Sequence, residues 1–162
     1  MGANWFFETE PWSGELAEAF DRAQARVLAS EDLEERLPPM EFRQMMAAEL
    51  GLADSLDERG RPATAHAARW LAAENMGTGT ILDFEQASAE PGDGAGGSVT
   101  PLDEATLLRL YATTQPTLEE VEEDVDVLAG LGWPRFTAHH FLCWDDDATA
   151  PTHVVFCGWS GD

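Results

Sequence analysis

The stretch RFTAHHFLCWDDDATAPTHVVFCGW, Arg135–Trp159, decides the fold. Two runs rich in aromatic and β-branched residues flank the polar segment Asp145–Pro151, the pattern of a β-hairpin with a long connection. Side chains alternate across a strand, so Phe136, Ala138, His140, Leu142 and Trp144 share one face of the first run. Thr137, His139, Phe141, Cys143 and Asp145 share the other. Both faces carry aromatics. A strand apolar on both sides belongs in the middle of a sheet with a layer packed on each face, which is the work expected of the helices upstream. Leu142, Trp144, Val154 and Phe156 are accordingly expected in the core.

Working outward, Asn4–Glu8 reads as a short aromatic strand with Trp5–Phe7 in the sheet, stopped by Pro11. Ser13 is placed to cap an amphipathic helix carrying Leu16, Phe20, Ala23 and Val27 at helical spacing. Glu31–Leu37 adds a turn or two before Pro38-Pro39. Met40–Leu50 is a helix stopped by Gly51, with Met45, Met46 and Leu50 toward its buried side. Pro62 opens a further helix running through Trp70 to Asn75, with Gly77 beyond. Thr80–Phe84 reads as a strand, with Gly79 as a bulge or a point of close approach. The segment 88–99 is a flexible glycine-rich loop with nothing to bury. Thr100-Pro101-Leu102-Asp103 resembles a helix start, and Thr117–Glu120 is a capping box leading an acidic helix through Leu118–Leu128. The fold class is α+β: one domain over 1–162, with a small antiparallel or mixed sheet of about four strands (Trp5–Phe7, Thr80–Phe84, Phe136–Trp144, His153–Trp159) and about five helices.

The formal charge of −22, with no lysine and nine arginines scattered from Arg22 to Arg135, disfavours nucleic-acid binding, because a phosphate backbone would be repelled. No apolar run approaches the length of a membrane span, and the N-terminus shows no signal-peptide pattern. Gly2 is a poor myristoylation match because Phe6 stands where Ser or Thr is needed. These features point to a cytoplasmic protein without membrane attachment, in which Cys143 and Cys157 remain thiols unless register sets them opposite each other. The acidity reflects either a GC-rich coding bias or high-salt habitat, or else steering toward a basic partner.

His139, His140 and His153 lie beside both cysteines and Asp145–Asp147, a composition that suggests metal. The spacing opposes it: His139 and Cys143 on one strand are about 13 Å apart, while zinc ligands converge to about 2 Å from one point. No metal, cofactor or catalytic residue is assigned. No phosphate loop is present, because a Walker motif needs a lysine, and neither cysteine has an activating motif around it. Two sites remain. Glu119, Glu122, Glu123 and Asp126 form an acidic helix face able to meet a basic protein, whereas Trp5, Trp12, Trp70, Trp144 and Trp159 with His139 and His140 offer an aromatic small-molecule pocket.

Trp5-Phe6-Phe7-Glu8 with Pro11-Trp12, Gly79–Asp83, Thr113–Thr117 and Phe156–Ser160 together resemble a group of small, uncharacterised actinobacterial acidic proteins. The resemblance implies a GC-rich bacterial, cytosolic origin and carries no activity or site residue. Charge and the missing catalytic motifs point to a protein-binding module of the immunity, antitoxin or inhibitor type acting on a basic protein. The alternative is a small-molecule-binding protein or small enzyme built on the tryptophans.

Overall fold

The computed structural model describes residues 3–73, 78–94 and 97–161. Its centre is a five-stranded mixed sheet of β1 (Trp5–Pro11), β2 (Gln86–Ala87), β3 (Ser98–Pro101), β4 (Thr137–Cys143) and β5 (His153–Trp159). The spatial order is β1-β5-β4-β3-β2. β5 runs antiparallel to both β1 and β4, while β3 is parallel to β4 and β2 parallel to β3. The hairpin thus holds the middle of the sheet, with His139 opposite Cys157 and Leu142 opposite Val154.

Both faces are covered, as the two-sided pattern requires. On one, Phe6, Ala138, Val154 and Phe156 pack against Phe20, Ala23 and Val27 of α1 (Leu16–Ala29), Leu33 of α2 (Asp32–Arg36) and Ala68 and Ala72. On the other, Phe141, Cys143, Val155 and Cys157 meet Leu102, Leu107, Val121 and Leu128. The helices concerned follow α3 (Met40–Glu49) in the chain: α4 (Ala65–Ala73) supplies the alanines, and α5 (Glu104–Tyr111), α6 (Leu118–Glu123) and α7 (Val125–Ala129) the second layer. The architecture is α+β, with five strands instead of about four and, among the described residues, seven α-helices instead of about five. The expected helix end at Asn75 and Gly77 lies outside the described residues.

Several local expectations are corrected. Thr80–Phe84 is not a strand: Ile81–Asp83 forms a 3-10 turn capped by the Thr80 hydroxyl, which accepts from Leu82 N. Asp83 bends the chain back on itself, its carboxylate accepting from Thr78 N, Thr78 Oγ1 and Gly79 N at 2.7, 2.8 and 3.0 Å. Gly79 is a point of close approach: at φ +69, a Cβ there would lie 2.7 Å from both the Arg36 guanidinium and the Asn4 amide. Thr100-Pro101 does not start a helix but ends β3. Proline is tolerated there because the next ladder bond is supplied by Leu102 N, 2.8 Å from His140 O, and the cap of α5 is Asp103 instead. Ser98 and Val99, expected in the glycine-rich loop, begin that strand. Gly94 brings the loop against β4, its carbonyl accepting from Ala138 N at 3.1 Å.

β1 continues to Pro11, and Ser13 does not cap α1, whose N-cap position is Glu15. Thr64, not Pro62, opens α4 by accepting from Ala67 N. The acidic helix is two pieces, because the N–H of Asp124 is shared between Glu120 O and Val121 O at 3.2 Å each, a tightened turn that ends the first. Met45 and Leu50 are exposed, since α3 stands outside the two layers and its apolar contact is a small cluster of Met46 and Ala47 with Leu71 of α4. Val154 and Phe156 are fully buried, whereas Leu142 and Trp144 are half-buried.

Candidate functional site

Arginine placement divides the molecule electrostatically. Only Arg109 and Arg135 lie beyond Arg69 in the chain. Most of the earlier arginines are spent inside the fold. Arg26 Nη2 stands 3.0 Å from Glu8 Oε2 and 2.9 Å from Glu10 Oε1, while Arg22 Nε is 3.7 Å from the other Glu10 oxygen. Arg43, almost wholly buried, forks onto Glu34. Arg61 donates to Leu28 O and Ser30 O, and Arg69 to Leu82 O and Phe84 O. These bonds pair the largely buried Glu8 and Glu10 carboxylates, the buried Arg43 guanidinium and several backbone carbonyls.

The layer over the second face has no such balance. Glu119, Glu122, Glu123 and Asp126 are all exposed, and none forms an ion pair among the described residues. Glu120 is occupied by the capping box, accepting from Thr117 N at 2.9 Å while its own N–H reaches Thr117 Oγ1 at 3.2 Å. Two backbone bonds then bring a second acidic run to the same end of the sheet: Trp144 N donates to Pro116 O at 3.0 Å, and Leu118 N to Trp144 O at 3.4 Å. Trp144 is followed directly by Asp145–Asp147, so the hairpin connection and the start of α6 are neighbours although distant in sequence.

The tryptophans do not gather into one pocket. Trp5 and Trp159 meet at 5.6 Å between ring centroids, and Trp5 also meets Trp133 at 5.8 Å. His139 stands edge-on to Trp133 at 4.7 Å, with Nδ1 3.4 Å from the Thr100 hydroxyl. Trp12 packs against the opposite face, and Trp70 is half-exposed on α4 beside His66. Trp144 and His140 line a separate notch of about 300 Å³. Trp133 is the aromatic that sequence reading left out; its neighbours Gly132 and Pro134 mark a loop, and nothing local signals its contact with His139.

Titration follows burial. His139 and His140 are held below the ordinary imidazole range by desolvation, and His140 Nε2–H is given to Ser88 O at 2.8 Å. Burial pushes the Cys143 thiol up to about 12 and the Cys157 thiol upward as well, so both are packed hydrophobes in the protonated form. Register sets Cys143 opposite His153 and Cys157 opposite His139, four residues apart along the strands and about 13 Å at about 3.3 Å per residue, beyond disulfide reach. Among the described residues no three His, Cys, Asp or Glu side chains form a metal-ligand set.

A second polar region lies on the other face, where Glu8, Arg26, Ser30, Asp32, Arg36 and Thr80 line a cavity of about 230 Å³. Burial raises the Glu8 carboxyl above its ordinary range despite Arg26. Burial likewise raises Asp83 against the pull of its hydrogen bonds from Thr78 and Gly79. Here the stretches Trp5–Glu8 and Gly79–Asp83 meet, and Ser160 N closes the corner by donating to Asn4 O at 3.0 Å. Sequence reading missed this region because its lining comes from β1, α1, α2 and Thr80, which are spread from Glu8 to Thr80 in the sequence. Among the described residues no helix is long and apolar enough to cross a membrane. No protein-family profile, curated protein or solved structure matches the chain.

Proposed function

We propose that the protein is an acidic binding module of the immunity, antitoxin or inhibitor type, whose partner is a basic protein met by the α6–α7 surface. One observation carries this reading: most arginines of the N-terminal half are engaged within the fold, while Glu119, Glu122, Glu123 and Asp126 stand exposed beside Asp145–Asp147 with no cation paired to them among the described residues. Like charges held on one surface cost little in water and raise the encounter rate with a complementary surface.

The test is kinetic. Glu119, Glu122, Glu123 and Asp126 replaced together by lysine should lower the association rate with the captured basic partner about ten-fold or more at low salt, and should flatten its salt dependence. The urea midpoint should hardly move, since exposed unpaired charges add little to stability. Unchanged association rate and salt dependence in the quadruple variant would show that α6–α7 is merely a solvated face.

A further inference from the structure

Ladder geometry singles out one backbone position on β4. Ser160 N donates to Asn4 O at 3.0 Å, which with the register aims the even-numbered residues of β5 at β1; Thr152, just before the strand, serves both sides, its carbonyl accepting from Trp12 N at 2.8 Å and its N–H given to Cys143 O at 2.9 Å. The odd-numbered residues of β5 therefore bond β4, and by the alternation of an antiparallel ladder the even-numbered residues of β4 turn to the opposite edge. There Ala138 N finds Gly94 O, His140 O finds Leu102 N, and Trp144 N finds Pro116 O. Leu142 lies between them. Ladder alternation turns its N–H and C=O away from β5, and neither bonds a turn or loop backbone among the described residues, because β3 leaves the sheet at Pro101 and the chain returns to this edge only at Pro116.

This gap opens into the notch of about 300 Å³. Pro101, Leu107 and Trp144 give it apolar walls, and Gln115 and the carboxyl-bearing Glu104 lie on its lining. The flanking chain is acidic as well, with Asp145–Asp147 following Trp144 and Glu119 following Leu118.

We propose that this notch captures an extended segment of a basic protein partner, one residue of which pairs with the N–H and C=O of Leu142 while an adjacent Arg or Lys lies against Glu104. The assignment rests on the acidic-module reading and adds its anchor point. Adding a strand residue to an open edge supplies two directional hydrogen bonds, and the pocket on each side supplies selectivity for what the segment carries. A single residue pair makes a short anchor, so an isolated peptide binds weakly, at about 1 mM, and tight binding requires the wider acidic surface.

The probe is the peptide acetyl-Gly-Val-Arg-Val-Gly-amide, titrated into the isotope-labelled full chain with amide and indole resonances recorded by NMR. Its glutamate counterpart serves as control. The expected result is a saturable shift of the Leu142 amide and the Trp144 indole, with the Arg peptide binding about five-fold or more tightly than the Glu peptide. Glu104→Gln should weaken the Arg peptide about two- to five-fold and leave the spectrum otherwise native. A Leu142 amide that stays in place at about 10 mM Arg peptide, or equal affinity for the two peptides, overturns the proposal. Shifts confined to the amides of Glu119–Asp126 sink the notch and leave the acidic reading standing. A Leu142 response in a chain whose quadruple charge reversal leaves partner association unchanged does the reverse.

Discussion

Phe156 and Leu142 stand on the same face of the hairpin, and a sequence pattern ranks them alike; the structure separates them. Phe156 is fully buried in the first-face core, its ring edge-on to Phe20 at 5.7 Å and tilted against His140 at 6.2 Å. Replacing it with alanine removes a large side chain from a site walled by α1 and the sheet, which has little freedom to collapse. The cost is about 3–5 kcal/mol, the aromatic contact with Phe20 contributing about 0.5–1.5 of it. Leu142 is half-buried beside the open edge, so Leu142→Ala leaves a depression that solvent fills, at about 1 kcal/mol. With a urea m-value of about 2 kcal/mol/M, the midpoint should fall by about 1.5–2.5 M for Phe156→Ala and about 0.5 M for Leu142→Ala. Urea titration followed by far-UV dichroism and by tryptophan fluorescence measures both, and coincident transitions license the comparison. Equal shifts in the two variants would refute the distinction between the closed middle of the sheet and its open edge.

Two further outcomes follow from the buried titratable groups. His139 and His140 have folded values below the usual 6.5, so the unfolded chain binds more protons just below that pH; stability should be full above about 6.5 and decline as pH falls toward 5, and His140→Gln should flatten part of that slope in urea midpoints. A midpoint constant between about pH 5 and 7.5 would contradict the burial of both rings. Cys143 and Cys157 should resist a thiol reagent at neutral pH in the native protein and both react once it is unfolded in guanidinium, with no intramolecular disulfide after mild oxidation; rapid native modification of Cys157 would show that the second-face core opens readily.

What the sequence revealed was periodic and local. The hairpin was legible because two runs rich in aromatic and β-branched residues flank a polar connection, and His153–Trp159 matches β5 end to end. The capping box at Thr117 was legible because its reciprocal bonds span only three residues. Ser98–Pro101 was not, since four residues among glycines carry no period and Thr-Pro-Leu-Asp is also a plausible helix start; only pairing with Ala138 and His140 makes it a strand. Ile81–Asp83 has strand composition, and its turn comes from Asp83 collecting Thr78 and Gly79, a local bond overridden in propensity by nothing visible at the residue level. The grouped tryptophans failed for a related reason: five residues of one type from five segments share a site only if topology puts them on one face, and here Trp12 and Trp159 lie on opposite faces of the sheet.

The half-burial of Leu142 and Trp144 and the open backbone of Leu142 have one cause. Alternation along β4 states which face each side chain occupies, and it assigned Ala138 and Leu142 to one core and Phe141 and Cys143 to the other; Phe136, exposed at φ +56, precedes the strand, and Trp144 follows it. Alternation states nothing about how far a neighbouring strand runs. β3 pairs with β4 only over Val99–Pro101, opposite Ala138–His140, because Asp103 then caps α5 and turns the chain away. From Phe141 onward β4 keeps β5 on one side and has no strand on the other until Thr117 bridges Trp144. Side chains on that last stretch lose one wall of packing, and the single even-numbered residue between the two closures loses its hydrogen-bond partners. An element predicted to be central is therefore central for its first half and an edge for its second. That edge opens beside the exposed carboxylates of α6 and the run Asp145–Asp147, so the same departure of β3 that thins the core also leaves an open strand position next to an acidic surface.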